Sequence, residues 1–187
     1  MLFLDDIALQ PLRETDIPAI ATLANNYQIW KNVRDRLPHP YSEQDAHDFV
    51  SIIQQELSLY TFGIHYQGTL AGIIGLVPQD DVYKLNAEIG YWIGEPFWNK
   101  GIATKAVQLM ITYAFGTLEF HRLFAGVFAH NLASMKVLTK TGFELEGIAK
   151  QAILKEGKLI DEYRYALIRA KNQETRNPVY CSYDEKG

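Results

Sequence analysis

Cysteine is nearly absent: Cys181 is the single one among 187 residues, and it lies in a polar C-terminal stretch. One thiol excludes an intrachain disulfide framework and suits a reducing compartment. Long apolar runs are missing too, since none approaches the roughly 20 residues needed to cross a bilayer. The segment Met1 to Asp6 has no basic residue and only a short apolar run, so no signal peptide is expected. Positive charge is not in surplus either. Eighteen Lys and Arg against 22 Asp and Glu give a formal charge of -4, with the two signs interspersed, which leaves no basic stripe to neutralise phosphates along a nucleic acid. The histidines His39, His47, His65, His121 and His130 share no ligand spacing with Cys181 or with one another, so no metal site is expected.

What is present fits a soluble globular protein: 48% hydrophobic and 21% charged residues. The length suits one domain, taken as residues 1–170 with a polar tail over 171–187, in the cytoplasm. Ile7 to Leu12 alternates as a short strand, and Thr15-Asp16 caps a helix that tolerates Pro18 in its first turn. Asn25 to Tyr41 reads as a loop. Ser42, with Asp45 three residues on, caps a helix running toward Leu57. Tyr60 to Tyr66, the turn Gln67-Gly68 and Leu70 to Val77 predict a hairpin, and Lys84 to Ile93 a further strand. Beyond Pro96 the apolar spacing becomes helical through Ile102, Ala106, Leu109, Met110 and Tyr113. Leu123 to Phe128 predicts a strand, Asn131 to Lys140 a helix stopped by Gly142, and Phe143 to Ile153 and Leu159 to Ile168 two strands turning at Glu156-Gly157. Strands followed by two late helices predict an α+β fold.

The stretch from Glu88 to Thr104 reads as a strand, a tight turn holding Gly101 and Ala103, and a helix start, with Lys100 beside it. Small side chains there expose backbone amides, and the helix N-terminus turns unpaired N–H groups and a positive dipole end toward one spot, as a pyrophosphate requires. The same small residues also suit close packing of the helix on the sheet. A dinucleotide fingerprint does not fit, because that motif belongs to a βαβ unit and this turn follows antiparallel strands.

Trp98-Asn-Lys-Gly101-Ile-Ala103 resembles motif A of the GNAT acetyltransferases, a Gln/Arg-x-x-Gly-x-Gly/Ala turn. Trp98 at the Gln/Arg position is similar to the RimJ/RimL-like branch, whose turn usually reads Trp-Gly-Lys-Gly-Tyr-Ala, and Asn99 is the departure from it. The likeness continues through the loop Trp30 to Tyr41, Ala87 to Thr104, Asn131-Leu-Ala-Ser134 and Thr141-Gly-Phe143. It implies a GNAT-type fold with a mostly antiparallel central sheet splayed after Glu88, opening a cleft for acetyl-CoA between the strands at Tyr91 and Leu123. By the same resemblance Tyr91, Trp92 and Ile93 pair with the pantetheine arm, and Lys100, Gly101, Ile102, Ala103 and Thr104 hold the pyrophosphate.

Amide synthesis from a thioester needs a neutral amine, a polarised carbonyl and a proton for the leaving thiolate. Glu88 matches the position where several family members place a catalytic glutamate, and equally suits a strand carboxylate that faces solvent or pairs with a base. Asn131 and Ser134 open the second cleft helix. Asn131 suits an N-cap as well as a coenzyme A contact, and Ser134 suits a local hydrogen bond as well as a coenzyme A contact and proton donation. Leu138 stands where many relatives carry a tyrosine acid, and Ile153 where some carry a carboxylate, which leaves Ser134 as the candidate acid. His130, before the cap, is a secondary candidate near the cleft.

The loop bearing Trp30, Arg34 and Tyr41 lies where the family places its acceptor wall, although such residues also anchor loops. The resemblance implies an acetyltransferase acting on a primary amine, either a protein N-terminus or a small molecule such as a polyamine or an antibiotic. A non-catalytic acyl-CoA sensor is the rival reading. Neither nucleic acid nor membrane is an expected partner, and the chain is expected to be a monomer or a homodimer.

Overall fold

Short local signals account for most of the elements in the computed structural model, which describes residues 1–55 and 59–170. Strands β1 (Leu2–Leu4) and β2 (Ile7–Gln10) fold back on each other through Asp5, whose φ is 52°. Helix α1 (Ile17–Ala24) carries Pro18 in its first turn, where the missing N–H costs nothing. Within the stretch read as a loop, one helical turn forms, α2 (Tyr27–Trp30), capped by Asn26, which accepts the Gln28 amide at 2.7 Å. Helix α3 (Glu43–Gln54) begins with the expected capping box. Ser42 accepts the Asp45 amide at 3.2 Å, and Asp45 accepts the Ser42 amide at 2.8 Å. Its expected end at Leu57 falls outside the described residues.

Strands β3 (Thr61–Tyr66) and β4 (Thr69–Pro78) form the predicted hairpin, with Gln67 and Gly68 both at positive φ, as a two-residue turn matched to strand twist requires. Strand β5 (Asn86–Ile93) leads through the glycine turn to α4 (Ile102–Gly116). Then come β6 (Arg122–Phe128), α5 (Leu132–Lys140), β7 (Glu144–Lys155) and β8 (Lys158–Ile168).

The strands form a single eight-stranded sheet in the order β1-β2-β3-β4-β5-β6-β8-β7. Every pairing is antiparallel except β5 with β6, which is parallel and short. It joins Asn86 to Arg122, Ala87 to Leu123 and Glu88 to Phe124, and then stops. Gly90 to Ile93 of β5 and Ala125 to Phe128 of β6 diverge as a V, the expected splay.

Each face of the sheet has its own core. Phe62, Ile64, Ile74, Leu76, Ala87, Ile89 and Leu123 pack with Met110 of α4 and Leu138 of α5. On the opposite face Leu12, Leu70 and Ile73 pack with Ile17 and Ile20 of α1, Ala46 and Val50 of α3, and Tyr41. A bulge opposite Ile64 and His65 inserts one extra residue into β4 and shifts its side-chain phase. That shift sends Leu70 and Ile73 to one core and Ala71 and Ile74 to the other. Gly72 is needed beside it, because a Cβ there would lie 2.2 Å from the Trp92 carbonyl oxygen. Among the described residues no helix is long and apolar enough to cross a membrane.

Candidate active site

The turn after β5 is held by its own side chains. The Trp98 indole N–H donates to the Ile93 carbonyl at 2.7 Å, so the tryptophan ties the turn to the strand that feeds it. Two residues then adopt left-handed backbone, Asn99 at φ 61° and Gly101 at φ 74°. Asparagine is among the few non-glycine residues that tolerate this region, which accounts for Asn99 in the motif. Gly101 is the N-cap of α4 and supplies no side-chain cap. A Cβ on Gly101 would meet nothing within 4 Å. The residue is therefore not there to let the helix approach the sheet; it leaves the first-turn amides open to the cleft mouth.

The V between β5 and β6 continues into a cavity of about 960 Å³. Its walls come from the α2 region, the end of β5, the α4 turn, the start of α5 and the β7–β8 turn. Tyr91, Trp92, Ile93, Lys100, Gly101, Ile102, Ala103, Thr104, Asn131 and Ser134 all line it, so the fold gathers the candidate cofactor residues into one cleft. In a chain of net charge -4, six lysines line the cavity (Lys31, Lys100, Lys136, Lys140, Lys155 and Lys158) against one carboxylate, Glu156. Five of them, all but Lys155, have no ion-pair partner among the described residues. Such a cleft concentrates positive potential where a polyanionic ligand would lie.

Period-two alternation divides the roles of β5 between its faces. Tyr91 shares a face with Ala87, Ile89 and Ile93 and looks toward the helices α4 and α5. Its hydroxyl lies 3.0 Å from Ser134 Oγ and 3.4 Å from the Ser134 carbonyl oxygen. Burial pushes the phenol up to about 12, against a smaller lowering by the Ser134 hydrogen bond. Asn131 caps α5 by accepting the Ser134 amide at 3.2 Å, so its capping role is realised. Leu138, at the position where many relatives carry a tyrosine, is fully buried in the core.

Glu88 sits on the other face, its side chain 17% exposed, and takes an Arg34 Nη2–H at 2.5 Å. Arg34 itself is largely exposed. Neither residue lines the cavity.

Trp30 and Tyr41 also lie behind the lining. Trp30 stacks on His39 at 5.5 Å, and its indole nitrogen is buried without a partner. Tyr41 is 7% exposed within the α1–α3 core, and burial, followed by the charges of Asp45 and Asp48, pushes its phenol up to about 12. His130 does line the cavity, and its Nε2 lies 3.2 Å from the Lys31 carbonyl oxygen, tying the wall beside α2 to the β6–α5 turn.

Two further groups at this wall had no sequence signal of their own. Lys155, at the end of β7, is 3% exposed. Its ammonium donates to the Val33 carbonyl at 3.0 Å and to Asp35 at 2.6 Å, and sits 3.6 Å from the centre of the Trp30 ring. Next to it Glu156 accepts the Tyr27 hydroxyl at 3.0 Å. The β7–β8 turn is thereby clasped to the α2 region across the mouth of the cleft.

Open strands, an amide-bearing turn and a basic cavity define an acyl-CoA-type transferase cleft. A model of the acetyltransferase (GNAT) domain matches residues 6–144, and the chain belongs to the GNAT acetyltransferase family. YjcK of Bacillus subtilis (strain 168), named a probable N-acetyltransferase, is 36% identical over 118 residues, or 62% of this chain; the chain spans 65% of that protein's length. The ribosomal protein uS5-alanine N-acetyltransferase of Escherichia coli (strain K12) is 30% identical over 142 residues, 74% of this chain and 73% of its own. Among solved structures RimL, a ribosomal L7/L12 alpha-N-protein acetyltransferase in complex with coenzyme A, aligns with a TM-score of 0.78 and 25% identity over 87% of this chain and 94% of that one.

Proposed function

We propose that this chain transfers an acetyl group from acetyl-CoA to a primary amine, and that the amine is the N-terminus of a protein or peptide. The observation that carries the reading is the divergence of β5 from β6 beyond Glu88, which opens directly onto the uncapped N-terminus of α4. Gly90 to Ile93 has no strand paired on its β6 side, where Trp98 takes only the Ile93 carbonyl, and its remaining backbone groups suit the amides of a pantetheine arm. The first-turn amides of α4 suit the pyrophosphate, with Lys100 beside them. The thioester is then delivered near Ser134 and the β5 strand. In this reading Glu88 takes the proton of the attacking amine, directly or through water, and Ser134 gives a proton to the thiolate. Trp30 and Arg34 shape the acceptor wall from behind its lining.

The charge of the cavity argues against a polyamine acceptor. A polycation needs several free carboxylates, and among the described lining residues Glu156 is the only one, already engaged by Tyr27. The uS5-alanine N-acetyltransferase relative supports an N-terminal amine. The test is acetyl transfer from acetyl-CoA, without added metal, to a panel of peptides with free N-termini, spermidine and aminoglycosides. Peptide acetylation with spermidine left untouched is expected. Acetylation of spermidine alone would refute the acceptor class, and tight acetyl-CoA binding with no transfer to any amine would favour a sensor.

A further inference from the structure

We infer that Tyr91 is a positioning residue, aiming the Ser134 hydroxyl at the sulfur that departs from the acetyl group. The inference rests on the reading of Ser134 as the proton donor and adds a residue from the opposite wall of the cleft. Two independent constraints bring the pair together. Strand alternation turns Tyr91 toward the helical face, and the Asn131 cap fixes the first turn of α5, so that the two oxygens meet at 3.0 Å.

A serine in the first turn of a helix ordinarily returns its hydroxyl to a backbone group nearby. The hydroxyls at the other end of α5 do so. Thr139 donates to the Met135 carbonyl at 3.0 Å, and Thr141 donates to those of Val137 and Leu138, each at 3.0 Å. Ser134 Oγ instead faces the phenol of Tyr91. Burial keeps that phenol protonated, so Tyr91 has an O–H to give, to Ser134 Oγ at 3.0 Å or to the Ser134 carbonyl at 3.4 Å. When it donates to Ser134 Oγ, the serine hydrogen cannot point back at Tyr91 and is left to the cleft.

The step balances as follows. The amine nitrogen bonds to the acetyl carbon, and as the adduct collapses the C–S bond breaks with its electron pair passing to sulfur. The Ser134 proton moves to that sulfur while the Tyr91 O–H holds the serine oxygen. The nitrogen gives its surplus proton to Glu88, which releases it to solvent, and a proton from solvent restores the serine. The products are the amide and free coenzyme A thiol, and Tyr91 keeps its own proton throughout.

Tyr91→Phe, Ser134→Ala and the double variant test this with an acceptor identified from the panel. Ser134→Ala is expected to lower kcat about a hundredfold or more, and Tyr91→Phe about tenfold. The double variant should match Ser134→Ala, because Tyr91 acts only through the serine. Acetyl-CoA affinity by calorimetry and its KM should stay within about twofold, and Tyr91→Phe should keep the wild-type shape of the pH–rate profile. Wild-type kcat in Tyr91→Phe beside a slow Ser134→Ala would overturn the inference and spare the serine. Effects that multiply in the double variant would also overturn it. Wild-type kcat in Ser134→Ala would remove the proton-donor reading itself, and this inference with it.

Discussion

Replacing Gly101 by Asp sets the stability of α4 against the affinity of the cleft. At φ 74° a side chain costs about 1 kcal/mol, least for Asp and Asn. The new carboxylate would also stand at a helix N-cap, gaining a few tenths of a kcal/mol over glycine and about 0.3–1 kcal/mol from the helix dipole. These contributions nearly cancel, and no neighbour within 4 Å obstructs the side chain. The variant should therefore fold, with Tm within a few degrees of wild type. Binding should behave differently. A carboxylate about 4 Å from a phosphate oxygen seated on the α4 amides repels it by about 4 kcal/mol at an effective dielectric of 20, close to a thousandfold in Kd. Calorimetric titration with acetyl-CoA at low and high salt would read this, with part of the loss recovered at high salt. Gly101→Asn, which has the same shape without the charge, should lose far less. Unchanged affinity in a folded Gly101→Asp variant would refute the placement of the pyrophosphate at this turn.

Glu88→Gln should preserve acetyl-CoA affinity yet slow transfer by about a hundredfold or more below the acceptor's own pKa, where free amine is scarce; a pH–rate profile matching wild type would remove the base. Lys155→Met should cost about 2 kcal/mol in urea unfolding, because it strips the Val33 carbonyl and the Trp30 ring of a buried ammonium. It should also raise the acceptor's KM while sparing acetyl-CoA, and no change in either would refute the clasp. Tyr41 and Tyr91 are held up to about 12 when folded, against an ordinary 10.0. Above pH 10 the unfolded chain releases these protons first, so stability should be full below pH 10 and fall as the pH rises toward 12. Thermal melts across that range should show a shallower fall for Tyr41→Phe.

Punctuation made much of the fold legible from the residues. Ser42 with Asp45, Gln67-Gly68, Asn131 and Glu156-Gly157 each mark a local event that needs no knowledge of distant contacts, and each appears where expected. Weak signals failed where elements are short. The three residues of β1 and the single turn of α2 are too brief to show a period. The strand and turn from Tyr91 to Thr104 were readable because they are contiguous. The opposite wall of the cavity was not, because it is assembled from residues far apart in sequence: Lys155 lies 122 residues from Val33. A lysine in an alternating strand ordinarily reads as exposed, so its burial had no local cue. Tyr91 and Ser134 are 43 residues apart. The alternation of Ala87, Ile89 and Ile93 does assign Tyr91 to the inner face, and that was the one available hint.

The V in the sheet also has a colloidal consequence. Gly90 to Ile93 and Ala125 to Phe128 are strand edges facing each other inside the molecule, and neither carries the lysines, prolines or bulges with which proteins usually blunt such edges. Without a ligand between them, they are a template for any extended segment narrow enough to enter. The cofactor is then also a guard: by filling the gap it denies that template to other chains, and protein stripped of its acyl donor should aggregate or exchange strands sooner than protein stored with it.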